Sequence, residues 1–145
     1  KQTVKLYNPT RKGYIFGGWY TDKSLKKKIT AISSKTTANV TLYAKWTKVS
    51  ACKAPAKVTL KNSKAKTMTA SWDAVSGANG YEFSYAENTK FTKAVKKVQT
   101  GRTVNIANLV KGKNYYVRVR AYRTDSTGAK IYGSYSKTVK VKIAK

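Results

Sequence analysis

The stretch "NLVKGKNYYVRVRAY", residues 108–122, decides how the larger part of this chain folds. Val117, Val119 and Ala121 alternate with Tyr116, Arg118, Arg120 and Tyr122, the two-residue period of a strand with one face turned inward. Leu109 and Tyr115 stand six positions apart across a Lys-Gly turn. That spacing fits a tyrosine corner, in which the phenol bonds back to upstream backbone.

Working outward, the same composition recurs in short runs. Strands are expected near 57–62, 66–73, 80–87, 95–100, 102–107, 113–123 and 136–143, separated by Gly77, Gly80, Gly101, Gly112 and Gly128. Seven short strands in about 90 residues suit two sheets packed face to face. Inward aromatics must fill the space between them. Trp72, Tyr81, Phe83 and Tyr85 are the natural candidates.

Together with "SWDAVSGANGY" (71–81) and the closing "GSYSKTVKVKI" (133–143), this half resembles a fibronectin type III domain. The resemblance implies an architecture and names no activity. The Arg-Gly-Asp tripeptide that some members use in adhesion is absent; the corresponding loop reads "RTDSTGAKIYG" (123–133).

Upstream, "KVSACKAPAK" (48–57) is small, polar and Pro-containing, which marks a boundary between two modules. Residues 49–56 are expected as a linker between a module at 1–48 and a sandwich at 57–145. The single cysteine, Cys52, falls there beside Pro55 and reads as an incidental linker thiol.

In the first module, "NPTRKG" (8–13) turns the chain and "YIFGGWY" (14–20) is a strand. Strict alternation puts Tyr14, Phe16 and Tyr20 on one face and Ile15 and Trp19 on the other. Thr21 or Asp22 can cap a short helix through "KSLKKKI" (23–29). "ANVTLYAKW" (38–46) is a further strand. Gly17 and Gly18 leave room for a ring or helix to approach the backbone, or allow a bulge. An aromatic platform for a sugar is the alternative to aromatic core packing, which suits a small domain better.

These residues resemble the Listeria–Bacteroides repeat, also called the internalin B-type repeat. Gly13, Tyr14, Phe16, Gly18, Trp19 and Tyr20, then Thr41, Leu42, Tyr43, Ala44 and Trp46, match its hallmark over about residues 3–47. The resemblance implies a non-catalytic β-grasp-like module of secreted and surface proteins of bacteria, especially Gram-positives. Its first extended segment is expected to lie upstream of Lys1, leaving a sheet edge open, with Trp19 and Trp46 substantially buried. The fold class is therefore mainly β: a small β-grasp-like module followed by a seven-stranded fibronectin type III β-sandwich.

Charge sets this chain apart. Lys and Arg number 31 against 5 Asp and Glu, a net charge of +26. Residues 1–50 carry 11 basic and 1 acidic residue, and residues 51–145 carry 20 and 4, so both modules are basic throughout. Such a field attracts polyanions. Lysines outnumber arginines 26 to 5, which favours diffuse attraction over bidentate reading of phosphate. The plain alternative is a solvated surface suited to anionic surroundings.

Several chemistries have no support. With no histidine, the usual general base and the commonest transition-metal ligand are missing. Asp22, Asp73, Glu82, Glu87 and Asp125 are scattered, without calcium-loop or glycosidase-pair spacing. No phosphate-cradling loop and no cofactor motif occurs, and no apolar run is long enough for a membrane helix. An isopeptide crosslink needs a buried acid, and Glu82 falls on an expected outward face.

The candidate polyanion or glycan face is the outward ladder Tyr116, Arg118, Arg120 and Tyr122, with Lys140 and Lys142 on the final strand. Ordinary alternation over a solvated sheet is its alternative. The expected protein is a non-catalytic spacer or adhesion region, extracellular or on the surface of a Gram-positive bacterium. Its expected partners are an anionic cell-wall polymer, a glycan or a host surface. A second reading is an accessory region of a secreted carbohydrate-active or peptidase enzyme with its catalytic domain upstream. Nucleic-acid binding has charge in its favour and little else.

Overall fold

The computed structural model describes residues 2–144, all strands, turns and loops. The chain forms two compact units, one of Lys1–Val49 with Thr124–Lys130 and one of Ser50–Arg123 with Ile131–Lys145.

In the first unit, β2 (Tyr14–Tyr20) is the centre of a three-stranded sheet, flanked by β3 (Lys28–Ile29) and β5 (Tyr43–Lys48). β1 (Val4–Lys5) pairs antiparallel with β4 (Ala31–Ile32). Among the described residues β5 borders β2 alone, so one edge of the sheet is open.

Strict alternation fails in β2, and Gly17 is the reason. The register steps from Phe16↔Trp46 to Gly18↔Lys45, leaving Gly17 as the extra residue of a bulge. The bulge carries Trp19 onto the side of Phe16 and Trp46 and sends Tyr20 to the side of Ile15. Phe16 accordingly meets both Trp19 and Trp46 edge-on, with ring centroids 5.5 and 5.4 Å apart. Tyr20 and Val49 are buried, whereas Trp19 and Trp46 are only half-buried, less than the sequence predicts.

The expected helix over 23–29 is also absent. Asp22 does accept backbone amides, from Lys26 at 3.1 Å and from Lys27 at 2.6 Å, and it takes the Ser24 hydroxyl. Leu25, however, sits at φ 56°, in the left-handed region that no α-helix can pass through. The carboxylate therefore closes a turn, and Lys28 enters β3.

The second unit is a two-layer sandwich. One sheet orders β10 (Thr103–Ile106), β7 (Met68–Ser71) and β6 (Thr59–Lys61). The other orders β12 (Lys130–Tyr132), β11 (Asn114–Thr124), β8 (Gly80–Ala86) and β9 (Val95–Gln99), with β13 (Val139–Lys142) also on β11. β12 falls in the loop expected over 123–133, so among the described residues eight strands stand where seven are expected, and the expected final strand at 136–143 shortens to β13. Between β12 and β13 the amide of Val119 donates to the Ser136 hydroxyl at 3.0 Å, where a regular ladder would use a carbonyl.

The core lies where the inward face of β11 predicts. Val117, Val119 and Ala121 are fully buried, as are Phe83 and Met68. Trp72 meets Tyr81 edge-on at 5.6 Å and stacks with Phe83 at 6.1 Å. Tyr85 is only half-buried. The Tyr115 hydroxyl accepts the amide of Val110 at 3.1 Å, which makes the tyrosine corner, and Leu109 is buried beside it.

Residues 50–56 pack with the sandwich instead of bridging to it as an open linker. Cys52 is buried within the core cluster, and Pro55 is buried as well. Gly133 passes so close to the Cys52 carbonyl oxygen that a β-carbon there would collide with backbone.

Candidate polyanion-binding face

The register fixes which side chains share the outer face of the larger sheet. Tyr116 stands opposite Lys140 and Asn114 opposite Lys142, so the two lysines lie on the predicted face. On the other side of β11, Tyr116, Arg118, Arg120 and Tyr122 face Ala86, Ser84, Glu82 and Gly80. The next strand adds Lys96, opposite Ser84. Lys96, Lys140 and Lys142 are exposed and form no ion pair with the described residues.

The arginines behave differently from those lysines. Glu82 is outward by register yet only 5% exposed, because Arg120 and Tyr135 close over it. Arg120 Nε donates to Oε1 at 3.0 Å and its terminal nitrogen donates to Oε2 at 3.2 Å, a fork-to-fork pair. The Tyr135 hydroxyl donates to the same Oε1. Burial pushes the Glu82 carboxyl up, but the Tyr135 hydroxyl and the Arg120 guanidinium outweigh it, and the net direction is down. The Tyr135 phenol moves up, first by burial and then by its bond to the carboxylate.

Rings and guanidinium groups alternate along this face. Arg118 lies between Phe91 and Tyr135, 4.0 Å from each ring centroid. Arg120 lies between Tyr132 at 3.9 Å and Tyr135 at 4.7 Å. Tyr132 then meets Tyr122 edge-on at 5.6 Å. Such stacks are worth about 0.5–2 kcal/mol each, depending on solvent exclusion. Tyr122, expected in water, is buried at the end of this column. The predicted ladder therefore divides in two. Arg118, Arg120 and Tyr122 belong to an internally packed column, while Lys96, Lys140 and Lys142 are exposed cations beside it, in no ion pair with the described residues.

Phe91, Tyr132 and Tyr135 are the participants that alternation along β11 could not supply. Phe91 comes from the loop after β8, Tyr132 from the end of β12 and Tyr135 from the break between β12 and β13. The run "IYGSYS" (131–136) carried the available signal, two tyrosines three apart before the last strand.

All five carboxylates are engaged. Asp73 pairs with Lys57 at 3.6 Å and Glu87 with Lys113 at 3.1 Å. Glu82 holds Arg120, and Asp22 closes its turn. Within the first unit, Asp125 accepts the amide of Gly13 at 2.7 Å and those of Thr127 and Ala129. These bonds, Gly13 first, pull its carboxyl down to about 2. Among the described residues no three His, Cys, Asp or Glu side chains gather as a metal site.

A sandwich closed by a tyrosine corner, with its carboxylates spent on internal bonds, defines a structural β-module. Residues 53–134 match the family model of the fibronectin type III domain, and residues 1–45 match that of the Listeria-Bacteroides repeat domain. The chain belongs to the fibronectin type III family, with a Listeria–Bacteroides repeat ahead of that domain. No curated protein sequence matches it.

Solved structures share the fold. The FN1–FN3 domains of chicken CNTN1 align with a TM-score of 0.57 at 20% identity, over 79% of this chain and 40% of that one. The FN5 domain of Drosophila Lar aligns at 0.51 and 20% identity, over 65% of this chain and 98% of that one. The twitchin kinase region from C. elegans aligns at 0.53 and 17% identity, over 66% of this chain and 17% of that one. The chain thus spans less than half of the CNTN1 fragment. At these identities the likeness is one of fold alone. Fibronectin type III domains are typically non-catalytic, and their pairing with a bacterial repeat points to a surface or extracellular module.

Proposed function

We propose that this chain is a non-catalytic spacer and adhesion region of a secreted or cell-surface protein of a Gram-positive bacterium. It holds anionic wall polymer or acidic glycan by diffuse attraction. One observation carries the reading: a net charge of +26 whose few carboxylates are all engaged in local bonds. The exposed lysines are left to face solvent and partner. Lys96, Lys140 and Lys142 supply a cluster of three on the outer face of the sandwich. Arg118 and Arg120 brace that face from within.

The test is binding of the whole chain to teichoic acid or heparin across a salt series. Affinity should fall steeply with salt, because each lysine contact releases or competes with counterions. Replacing Lys96, Lys140 and Lys142 by Gln should flatten that slope while the circular dichroism spectrum stays unchanged. Tight binding that ignores salt would overturn a charge-driven contact, and so would no binding at low salt.

A further inference from the structure

The bulge at Gly17 does more than reorient one tryptophan. It opens a groove of about 340 Å³ on the first unit, walled by Phe16 and Trp19. Gly17 and Gly18 line it with backbone, and the Lys28 tail reaches over Gly18. Gly18 holds φ +121°, a conformation that residues with a β-carbon rarely adopt.

The Trp19 ring is fixed without being covered. Its Nε1 donates to the Tyr7 carbonyl at 2.9 Å, and its ring packs T-shaped against Phe16. The side chain nevertheless stays only half-buried, where a core tryptophan such as Trp72 is 4% exposed. A pinned, partly bare aromatic face is a preorganised platform, ordered before any ligand arrives. At the rim, Lys5 and Lys28 are exposed and make no ion pair with the described residues. Asn8 lines the same groove with its side chain exposed.

We infer that this groove binds an acidic sugar unit, a pyranose ring carrying a carboxylate. The C–H face of a sugar carries slight positive charge and complements the electron-rich face of an indole or phenyl ring. A ring carboxylate answers the two ammonium groups, which as flexible point charges suit an anion of variable position. The Asn8 amide offers both a donor and an acceptor to the hydroxyls. This inference rests on the polyanion reading above and adds to it a requirement for the sugar ring.

Three probes separate the two ideas, each titrated into the isotope-labelled whole chain at physiological salt and followed by NMR. Oligogalacturonate carries both ring and carboxylate, polyglutamate carries the carboxylate alone, and dextran oligosaccharide carries the ring alone. Oligogalacturonate should shift the Trp19 indole and the amides of Gly17, Gly18 and Ile29. Lys28→Gln and Lys5→Gln, both at exposed positions, should each weaken it by about tenfold, the loss of one charge-assisted contact. Polyglutamate moving the groove signals equally would leave diffuse attraction standing and remove the sugar site. Dextran binding as well as the acid would overturn the acidic class. Oligogalacturonate shifts confined to the lysine cluster around Lys140 would overturn the groove. Silence from every probe, at low salt as well, would overturn the polyanion reading too.

Discussion

Arg120 and Glu82, directly opposite on neighbouring strands, hold each other in a two-bond fork on the outer face of the sandwich. The pair is partly dry, with the Glu82 side chain 7% exposed and that of Arg120 24%. Removing one partner leaves the other charge poorly solvated, which costs more than the pair contributes. Glu82→Ala should therefore destabilise the sandwich by about 2 kcal/mol, discounted for the solvent that reaches Arg120. Urea denaturation reads it directly. Because the folded carboxyl lies below its ordinary value, the contribution is present above the unfolded pKa and fades as pH falls through the folded one. An equal stability gap between wild type and variant at pH 7 and pH 2 would contradict the pairing.

The tyrosine corner separates two adjacent phenols. Tyr115→Phe removes the acceptor of the Val110 amide and should cost about 1 kcal/mol, somewhat more if that amide stays dry. Tyr116, half-buried on the outer face with no such bond, should lose far less as Phe. Equal losses in thermal or urea melts would contradict the assigned faces of β11.

Asp125 gathers three backbone amides and the Thr127 hydroxyl within the first unit. Its folded carboxyl lies near 2, below the ordinary 3.8, so the loop is held firmly above about pH 4 and released as pH falls toward 2. The protection of the Gly13, Thr127 and Ala129 amides, relative to their intrinsic exchange at each pH, should fall across that window. In Asp125→Ala the Gly13 amide should already exchange fast at pH 5. Protection of Gly13 that is flat from pH 5 to pH 2 would show that the carboxylate does not hold it.

Gly133 and Gly101 make a matched pair. Gly133→Ala drives a methyl into the Cys52 carbonyl, a backbone atom that cannot swing aside, and should cost about 2 kcal/mol or more. Gly101→Ala meets only the Gln99 side chain at 3.8 Å and should stay within about 0.5 kcal/mol of wild type. Thermal melts of the two variants decide it.

The sandwich was legible because burial on one face writes itself into the sequence at every second residue. Val117, Val119 and Ala121 state it, and the Leu109–Tyr115 spacing fixes the corner. The bulge was not legible in the same way. One extra glycine flips every side chain beyond it, yet "YIFGGWY" reads as the same alternation with or without that flip. Asp22 misled for a related reason, since a carboxylate that collects amides looks alike at a helix start and in a closed turn. The arginine column depends on Phe91 and Tyr135, brought to β11 by a loop and by a strand break, neither of which has a period to read. Lys140 and Lys142 were placed on that face because antiparallel pairing of the last strand carries its alternation across.

The chain also has a permanent electrical character. It has no histidine, and its perturbed carboxyls are pulled down, further from neutrality. It thus lacks the one side chain that ordinarily changes its charge between about pH 5 and 8. If the chain holds an anionic partner as proposed, mild acidification should neither loosen nor tighten that hold. On that proposal its attachment answers to salt and to competing polymers, and hardly to protons.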